Sequence, residues 1–275
     1  MFLRVLTGKS LFGQRRMMEI ENYIELLKQD KSISAYTCMS KDEEIKYMEG
    51  QKYRLEKLIR RLEEVIKSLS MSCKPVRVLD IGTTPFTILI KQKFENCEFW
   101  GMDRTNHLEN RLQQVGIGFK TCDLDNEPIP FEDEYFDLVI FTEVLEHIFA
   151  PPTGIVTEIK RIIRPSGKLI LSVPNIATLS KRVKFLFGIT PLDDANDQMK
   201  KWLHGHGHIH EYTKKEIFSL CKSINFKISY AEMLSTNPMD LLREKGKCSL
   251  KGFLCSCIAF LVPQFRRVIY VECDK

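Results

Sequence analysis

The segment from Val78 to Phe86 has the composition of a buried strand that turns directly into a helix. Gly82 permits a sharp turn and lets the backbone approach a ligand closely. Thr84 is a suitable N-cap for the helix, and Pro85 is a suitable first residue. Such a helix start attracts a ligand carboxylate, while Asp80 at the end of the strand is placed to meet an amino group. We therefore expect Asp80, Gly82 and Thr84 to contact a ligand that carries both groups; a turn that binds nothing is the alternative.

Two further acidic residues follow the next two strand-like segments. Asp103 lies 23 residues after Asp80, which is the place and spacing of an acid that accepts hydrogen bonds from ribose hydroxyls. Asp123 and Leu124 follow the third segment, where Asp123 would accept from the exocyclic amine of an adenine and Leu124 would cover the ring. The alternative for Asp103 is a solvated surface carboxylate. A dinucleotide would need Gly-x-Gly-x-x-Gly at the first turn, of which only Gly82 is present, so a nicotinamide cofactor is disfavoured.

A cluster of groups that could transfer protons or bind metal follows the fourth strand-like segment. Glu143, Glu146 and His147 have the spacing i, i+3 and i+4, which predicts one face of a helix. His147 is a candidate general base for a hydroxyl group, because the ordinary pKa of imidazole lies near neutral pH. The same three residues could form one side of a divalent metal site. An imidazole that is only hydrogen-bonded at a helix end is the alternative, and metal binding stays open.

Four histidines alternate with other residues at positions 204, 206, 208 and 210. In an extended chain this period would place all four imidazoles on one side. We expect one or two of them to line an acceptor pocket, with His208 and His210 as the candidates. A flexible polar loop is the alternative.

These residues must be positioned by a sheet, because short apolar runs alternate with helical segments from Pro75 onward. Near-continuous apolar runs are typical of parallel strands that are covered on both faces. The alternation predicts an α/β fold with a doubly wound, mostly parallel seven-stranded sheet. The predicted strands are Val76–Ile81, Glu98–Met102, Gly116–Thr121, Phe136–Phe141, Lys168–Val173, Phe226–Tyr230 and Val268–Val271.

The chain is predicted to have two parts. Residues 1–72 form a helical segment, in which 53–69 has the apolar spacing of a helix packed on the sheet with its charged residues turned outward. Residues 73–275 form the main domain. Within it, 175–212 has no clean period and is expected to be a cap that selects the acceptor. A capping box at Thr213 opens the next helix.

Composition limits the partners and the compartment. The net charge of +5, from 41 basic and 36 acidic residues, is too mild to indicate nucleic-acid binding. Nine cysteines without a Cys-x-x-Cys pair predict free thiols and no structural zinc.

No apolar run is long enough for a spanning helix, so we expect a cytoplasmic protein. Residues 181–187 mix basic and apolar side chains, and would either rest on an anionic lipid surface or form a cap helix that buries its aromatic residues.

In this order and spacing, the motifs resemble those of the class I S-adenosylmethionine methyltransferases, especially the group that includes ubiquinone-pathway and glycan O-methyltransferases. The resemblance covers roughly residues 75–175, and more loosely 207–228. Thr84 and Phe86 stand where that family usually has further glycines. The motifs are Val-Leu-Asp-Ile-Gly at 78–82, Asp103, Asp123-Leu124, Phe-Asp-Leu-Val-Ile at 136–140, Glu-Val-Leu-Glu-His at 143–147 and Arg-Pro-Ser-Gly-Lys-Leu at 164–169.

The resemblance implies S-adenosylmethionine as cofactor and methyl transfer to an oxygen of a small or lipid-linked acceptor. Peripheral membrane contact and the oligomeric state stay open. Two alternatives remain: a metal-dependent RNA 3′-terminal 2′-O-methyltransferase, whose motif at 143–147 is similar, and a non-catalytic cofactor-binding protein of the same fold. The implied cofactor contacts are Asp80, Gly82, Thr84, Asp103, Asp123, Leu124 and Thr142, and the implied catalytic residues are His147, His208 and His210.

Overall fold

The computed structural model describes residues 41–70, 74–192, 194–203, 207–235 and 250–275. Predictions for residues 1–40, for the part boundary at 72 and for His204 and His206 lie outside the described residues. The helices are α1 (Lys41–Leu69), α2 (Pro85–Lys93), α3 (Glu109–Gln114), α4 (Pro152–Ile162), α5 (Leu179–Leu186), α6 (Ala195–Leu203), α7 (Lys214–Ser223) and α8 (Leu250–Leu261), with 3₁₀ turns at Leu145–His147 and Pro263–Phe265. The strands are β1 (Arg77–Ile81), β2 (Glu98–Asp103), β3 (Gly118–Thr121), β4 (Phe136–Thr142), β5 (Ile163–Pro174), β6 (Lys227–Leu234) and β7 (Val268–Asp274).

The seven strands form one sheet in the order β3-β2-β1-β4-β5-β7-β6. β7 is antiparallel to β5 and β6, and the other pairings are parallel. The predicted doubly wound, mostly parallel sheet is therefore confirmed. The strand order reverses between β1 and β4, and doubly wound sheets bind ligands beyond the carboxyl ends of the strands at such a point.

Helix α1 covers one face of the sheet, as its apolar period predicts. Its residues at 55, 58, 59, 62, 65 and 66 are buried in a core shared with α2 and β1. The prediction that its charged residues all turn outward is wrong for Arg54 and Arg61. Arg54 is buried, and Arg61 donates from Nε and Nη2 to the two carboxylate oxygens of Glu272 on β7, both at 2.7 Å. A bidentate pair between arginine and a carboxylate fixes the relative orientation of the two side chains and also stabilises the contact. It therefore holds α1 against β7.

The opposite face is covered by α4 and α7, whose apolar residues enter a second core with β4 and β5. The helix expected directly after β4 is displaced. Glu143 adopts a left-handed φ of 57°, a short 3₁₀ turn follows at Leu145–His147, and the α-helix begins only at Pro152. The proline pair at 151–152 starts this helix, because proline suits a first helical position.

The segment from 175 to 212 crosses the carboxyl edge of the sheet and contains α5 and α6. It is anchored at both ends, since Asn175 and Tyr212 form an isolated parallel bridge. The side-chain amide of Asn175 also donates to the carbonyl oxygens of Gln264 and Arg266, at 3.1 and 2.7 Å. These bonds hold the start of the cap beside the end of α8. Among the described helices, none is long and apolar enough to cross a membrane.

Candidate active site

A cavity of about 1230 Å³ opens at the carboxyl edge of the sheet where the strand order reverses. The residues around it come from β1, β2 and β4, from α1, and from the cap and α8. The predicted site residues that line it are Asp80, Gly82, Thr84, Asp103, Asp123, Leu124, Thr142, Glu143, Glu146, His147 and His208. His210 does not line this cavity.

The turn after β1 requires glycine at position 82. Gly82 has φ +81°, and a Cβ built on it would lie 2.3 Å from Val144 Cγ2. Its backbone N–H donates to the carbonyl oxygen of Met102 at 2.9 Å, which ties the turn to β2. Both the left-handed backbone and the close approach of Val144 exclude a side chain here. Val144 was not anticipated from the sequence, because the contact joins two turns more than sixty positions apart.

Asp80 is buried at the base of the cavity and is held by the first turn of α2. Thr87 Oγ1 donates to Asp80 Oδ2 at 2.6 Å and accepts from the N–H of Thr84 at 3.0 Å. Burial, with a smaller contribution from the charge of Asp103, raises the pKa of Asp80 to about 7 in spite of the hydrogen bond from Thr87. A cationic group in the cavity would favour the ionised form, so this carboxylate fits the amino end of an amino-acid ligand.

The two residues that replace family glycines have structural roles. Thr84 is the N-cap of α2, and its Oγ1 accepts from the N–H of Phe86 at 3.2 Å. Phe86 is buried in the core between α1 and α2. The prediction that Thr84 and Pro85 begin the helix is confirmed. The Thr84 side chain lines the cavity while it caps the helix.

Asp103 ends β2 beside the turn of Gly82. Its Oδ2 accepts from Thr83 Oγ1 at 3.4 Å and its Oδ1 from the N–H of Thr105 at 3.3 Å. Burial raises the pKa of Asp103 in spite of these donors. Both contacts are long, so the carboxylate keeps capacity to accept from ligand hydroxyls.

The carboxylate of Asp123 accepts shorter hydrogen bonds than that of Asp103, and they come from its own turn. Its oxygens accept from Asn126 Nδ2 at 3.0 Å and from the N–H of Asp125 at 3.2 Å. The bond from Asn126 is the main cause that lowers its pKa, and Arg104 lies 3.8 Å away as an ion pair. Leu124 beside it is half-buried. Thr142 ends β4 in register with Ser172 of β5.

His147 has a defined tautomer. Its Nδ1 lies 3.0 Å from the carbonyl oxygen of Gly207, which can only accept, so Nδ1 carries the proton. Nε2 is then the basic nitrogen of the neutral ring. Glu146 Oε1 lies 3.9 Å from this nitrogen.

Glu143 and Glu146 do not share a helical face with His147, which corrects the expected arrangement. Glu143 precedes the 3₁₀ turn and accepts from Ser172 Oγ at 2.8 Å. Glu146 is 1% exposed, and its Oε2 has no hydrogen-bond partner among the described residues. Burial raises the pKa of Glu146 well above its usual range, and the charge of Glu143 adds to the effect.

His208 and His210 point to different surroundings, so the predicted common side is wrong for the two histidines of the run that are described. His208 Nδ1 lies 3.0 Å from Glu211 Oε1, and its ring meets that of His147 edge to face with centroids 5.0 Å apart. His210 is exposed, with Nε2 3.2 Å from Glu216 Oε1. One ligand atom from each of Glu146, His147 and His208 lies within 4.8 Å of the other two, a geometry that could hold a metal ion.

Arg54 is the cavity residue that sequence reasoning missed most clearly. It projects from α1, is 9% exposed and lines the cavity, where its positive charge acts to lower the pKa of Glu146. Its Nε donates to Gln51 Oε1 at 3.0 Å. The signal in the sequence was present but ambiguous, because position 54 borders the apolar stripe of α1.

This arrangement defines a class I methyltransferase fold with its ligand cavity at the switch point of the sheet. An S-adenosylmethionine-dependent methyltransferase from Archaeoglobus fulgidus is similar with a TM-score of 0.53 and 15% identity, over 83% of this chain and 99% of that one. One from Mesorhizobium loti gives 0.52 and 12%, over 78% and 97%. The magnesium protoporphyrin IX methyltransferase of Synechocystis PCC 6803, with bound SAH, gives 0.52 and 17%, over 83% and 84%. At these identities the likeness is one of fold.

The family itself follows from the sequence. Residues 47–231 match the model of a family described as a methyltransferase domain. The chain therefore belongs to this methyltransferase family, and the resemblance to class I S-adenosylmethionine-dependent methyltransferases is confirmed. No curated protein sequence matches the chain with significance.

Proposed function

We propose that the protein transfers the methyl group of S-adenosylmethionine to a hydroxyl oxygen of a small or lipid-linked acceptor, with His147 as the base. The observation that carries this proposal is the tautomer of His147. The Gly207 carbonyl holds the proton on Nδ1 at 3.0 Å, so the neutral imidazole has its lone pair on Nε2 in a residue that lines the cavity.

The residues at the switch point fit the cofactor. Asp80 is a buried carboxylate with a raised pKa, and a positively charged amino group relieves the cost of ionising it. The Gly82 turn brings backbone without a side chain to the cavity wall, and the positive end of the α2 dipole favours a carboxylate there. Asp103 has capacity for the ribose hydroxyls. When bound, the sulfonium supplies an electrophilic methyl group, so the protein needs only to align the acceptor and remove a proton.

Proton removal is assigned to His147 with help from Glu146. His147 Nε2 would take the proton of the acceptor hydroxyl and become an imidazolium. In the same step the acceptor oxygen would bond to the methyl carbon, and the carbon–sulfur bond would break to leave the neutral thioether. Glu146 Oε1 at 3.9 Å stabilises that positive charge in its ionised form, and the same positive charge favours ionisation of the buried carboxyl group. His208, edge to face with His147, positions the ring.

The cavity has room for both reactants. Its volume of about 1230 Å³ exceeds the roughly 300–1,000 Å³ typical of a site for one small molecule. One part of the cavity wall is formed by the cap and α8, including Leu179, Ser180 and Ala259. We assign that part to the acceptor.

The test is a search for methylated product with isotope-labelled S-adenosylmethionine. The full chain is incubated with water-soluble and lipid extracts of its source cells, and labelled compounds are separated and analysed by mass spectrometry. We expect a methyl ether that the His147→Ala protein forms about a hundredfold to ten-thousandfold more slowly. Cofactor binding with no labelled product from any extract would instead identify a binding protein without turnover.

A metal-assisted reaction is the second candidate, and one observation favours it. Glu146, His147 and His208 bring ligand atoms within 4.8 Å of one another. Both imidazoles hold their Nδ1 protons against an oxygen, the Gly207 carbonyl and the Glu211 carboxylate, which is how histidines that bind metal through Nε2 are oriented. A bound divalent ion would lower the pKa of a hydroxyl at this site. An RNA acceptor remains disfavoured by the mild net charge.

Manganese binding, followed by electron paramagnetic resonance, separates the two candidates. The metal candidate predicts saturable Mn²⁺ binding that Glu146→Gln and His208→Ala remove. His210→Ala is the matched control, because that imidazole lies outside the cavity, and it should bind Mn²⁺ like wild type. Full activity after chelation, without Mn²⁺ binding, would reject the metal and leave His147 as the base.

A further inference from the structure

The cap and α8 carry an exposed apolar surface, which we call the cap face. Of the twelve large apolar residues that are exposed in the described ranges, ten belong to it. Phe185, Leu186 and Phe187 are 73%, 79% and 74% exposed. The ten residues are Val183, Phe185, Leu186, Phe187, Ile189, Leu192, Leu254, Ile258, Phe260 and Leu261.

The cap face is one surface, because α5 and α8 lie side by side. Asn175 bonds the chain before α5 to the carbonyl groups after α8, and Arg182 lies over the ring of Phe265 with its Cζ 5.4 Å from the centroid. None of the eight residues of α5 is buried. The expected cap helix that buries its aromatic residues is therefore wrong for this segment. A clustered, exposed apolar surface of this kind marks a site of interaction with a protein, a membrane or a ligand.

Basic residues predominate in the two segments that carry the cap face. Residues 175–192 and 250–271 contain no aspartate or glutamate, although the whole chain has 36 acidic residues among 275. The same two segments contain Lys181, Arg182, Lys184, Lys251, Arg266 and Arg267. Lys181 is paired with Glu211, while Arg182, Lys184 and Arg267 are exposed. Apolar side chains rimmed by cations complement the surface of an anionic bilayer.

The helices that carry the cap face also line the reaction cavity. Its lining includes Leu179 and Lys181 of α5, Ser256 and Ala259 of α8, and Arg267. The same cavity reaches Asp80 and Asp103 at the switch point. A molecule held in a bilayer against the cap face would therefore lie beside two of the helices that line the cavity.

We propose that the cap face rests on an anionic phospholipid bilayer and that a membrane-held acceptor enters the cavity between α5 and α8. The first part stands on the surface alone, while the entry path rests on the proposed function. The attachment is peripheral, since apolar side chains enter the interface while the helices lie along it.

Vesicle flotation tests the attachment. The full chain is mixed with vesicles of phosphatidylcholine, alone or with phosphatidylglycerol. We expect flotation with the anionic vesicles, weakened by salt, and little with phosphatidylcholine alone. Lys184→Glu should weaken binding by at least about fivefold, the effect of one charge at an anionic surface. Lys67→Glu makes the same change at the end of α1, far from the cap face along the chain, and should bind like wild type.

A second variant keeps the test independent of charge. Phe185→Ser with Leu186→Ser and Phe187→Ser changes exposed positions, so it should keep its fold and its cofactor affinity and lose flotation. Absence of flotation with wild type, or equal flotation with both vesicle types, would overturn the proposal. A wild-type dimer in solution that the triple variant converts to a monomer, without flotation, would assign the face to a second copy.

The outcomes also separate this inference from the proposed function. Flotation without any labelled product in the extracts would leave the membrane surface standing and reject the methyl transfer. A labelled water-soluble product from a protein that never floats would support the methyl transfer and reject the membrane surface. If both proposals hold, the labelled product is a lipid. Wild type should form it faster on anionic vesicles than in detergent, while the triple variant should form it at the same rate in both.

Discussion

The two halves of the cavity are built in different ways. The cofactor half is formed by short continuous segments, with Asp80, Gly82 and Thr84 within five residues of one another. The acceptor half is assembled from distant parts of the chain, since His147 is oriented by Gly207, sixty positions away. The N–H of Ile209 likewise donates to the carbonyl oxygen of Glu146 at 2.7 Å. Local sterics therefore fix the first half, and long-range hydrogen bonds fix the second.

The contrast teaches that the two halves should respond differently to substitution. Changes in the cofactor half should alter cofactor affinity or stability, because its residues serve both the turn and the ligand. Changes in the acceptor half should alter turnover with the cofactor affinity unchanged.

The largest effect is expected for His147→Ala. General-base catalysis contributes about a hundredfold to ten-thousandfold, so the rate of product formation should fall by that factor. Calorimetry should show nearly unchanged S-adenosylmethionine affinity, because the proposed cofactor contacts lie on other elements. If the variant kept the wild-type rate, alignment of the reactants alone would suffice for catalysis. If the variant lost cofactor binding, His147 would belong to the cofactor half of the cavity as well.

Gly82→Ala should destabilise the fold through two separable effects. A non-glycine residue at φ +81° costs about 1–3 kcal/mol, and forcing a methyl group against Val144 adds roughly another 1–3 kcal/mol. Gly116→Ala is the matched control, because Gly116 has φ +76° and nothing within 4 Å of its built Cβ. Chemical denaturation should show the greater loss at Gly82. Val144→Ala in the Gly82→Ala background should recover part of the difference, and failure to do so would refute the contact.

Asp103→Ala should weaken S-adenosylmethionine binding by about 1.5–3 kcal/mol, the range for losing hydrogen bonds to a charged group. Asp123→Ala should cost less, since its oxygens already accept from Asn126 and from the N–H of Asp125. Calorimetry of both variants checks the order. Equal losses of affinity would show that Asp123 gives up its hydrogen bonds within the turn when the cofactor binds.

The smallest effect concerns pH. The pKa of Asp80 is raised to about 7 by burial, so the carboxyl group is protonated below that pH, and a cationic ligand must bind the ionised form. S-adenosylmethionine affinity should therefore rise by roughly tenfold from about pH 5.5 to pH 7, where the ligand amino group stays protonated. Asp80→Asn should bind weakly with a nearly flat profile. A flat profile for wild type would mean that Asp80 does not meet the charged end of the ligand.

Much of the frame follows from the sequence. The strand-like runs predicted all seven strands within a few residues, because a strand buried on both faces must be apolar along its length. The largest errors fall at ends set by pairing: β5 begins at Ile163 and not at 168, and β6 extends to Leu234 along its neighbour β7. The left-handed turn at Glu143 could not be predicted, since a glutamate rarely adopts such a backbone.

What the sequence determined by itself is the sheet, the turn at Gly82 and the acids at the strand ends, because periodicity and backbone sterics act over a few neighbouring residues. Only the tertiary structure decided which nitrogen of His147 is basic, that Glu146 is buried, and that Arg54 faces the cavity. It also decided that His208 joins the site while His210 does not. These features depend on contacts between residues far apart in the chain, where a carbonyl or a charge from another element fixes the state of a side chain.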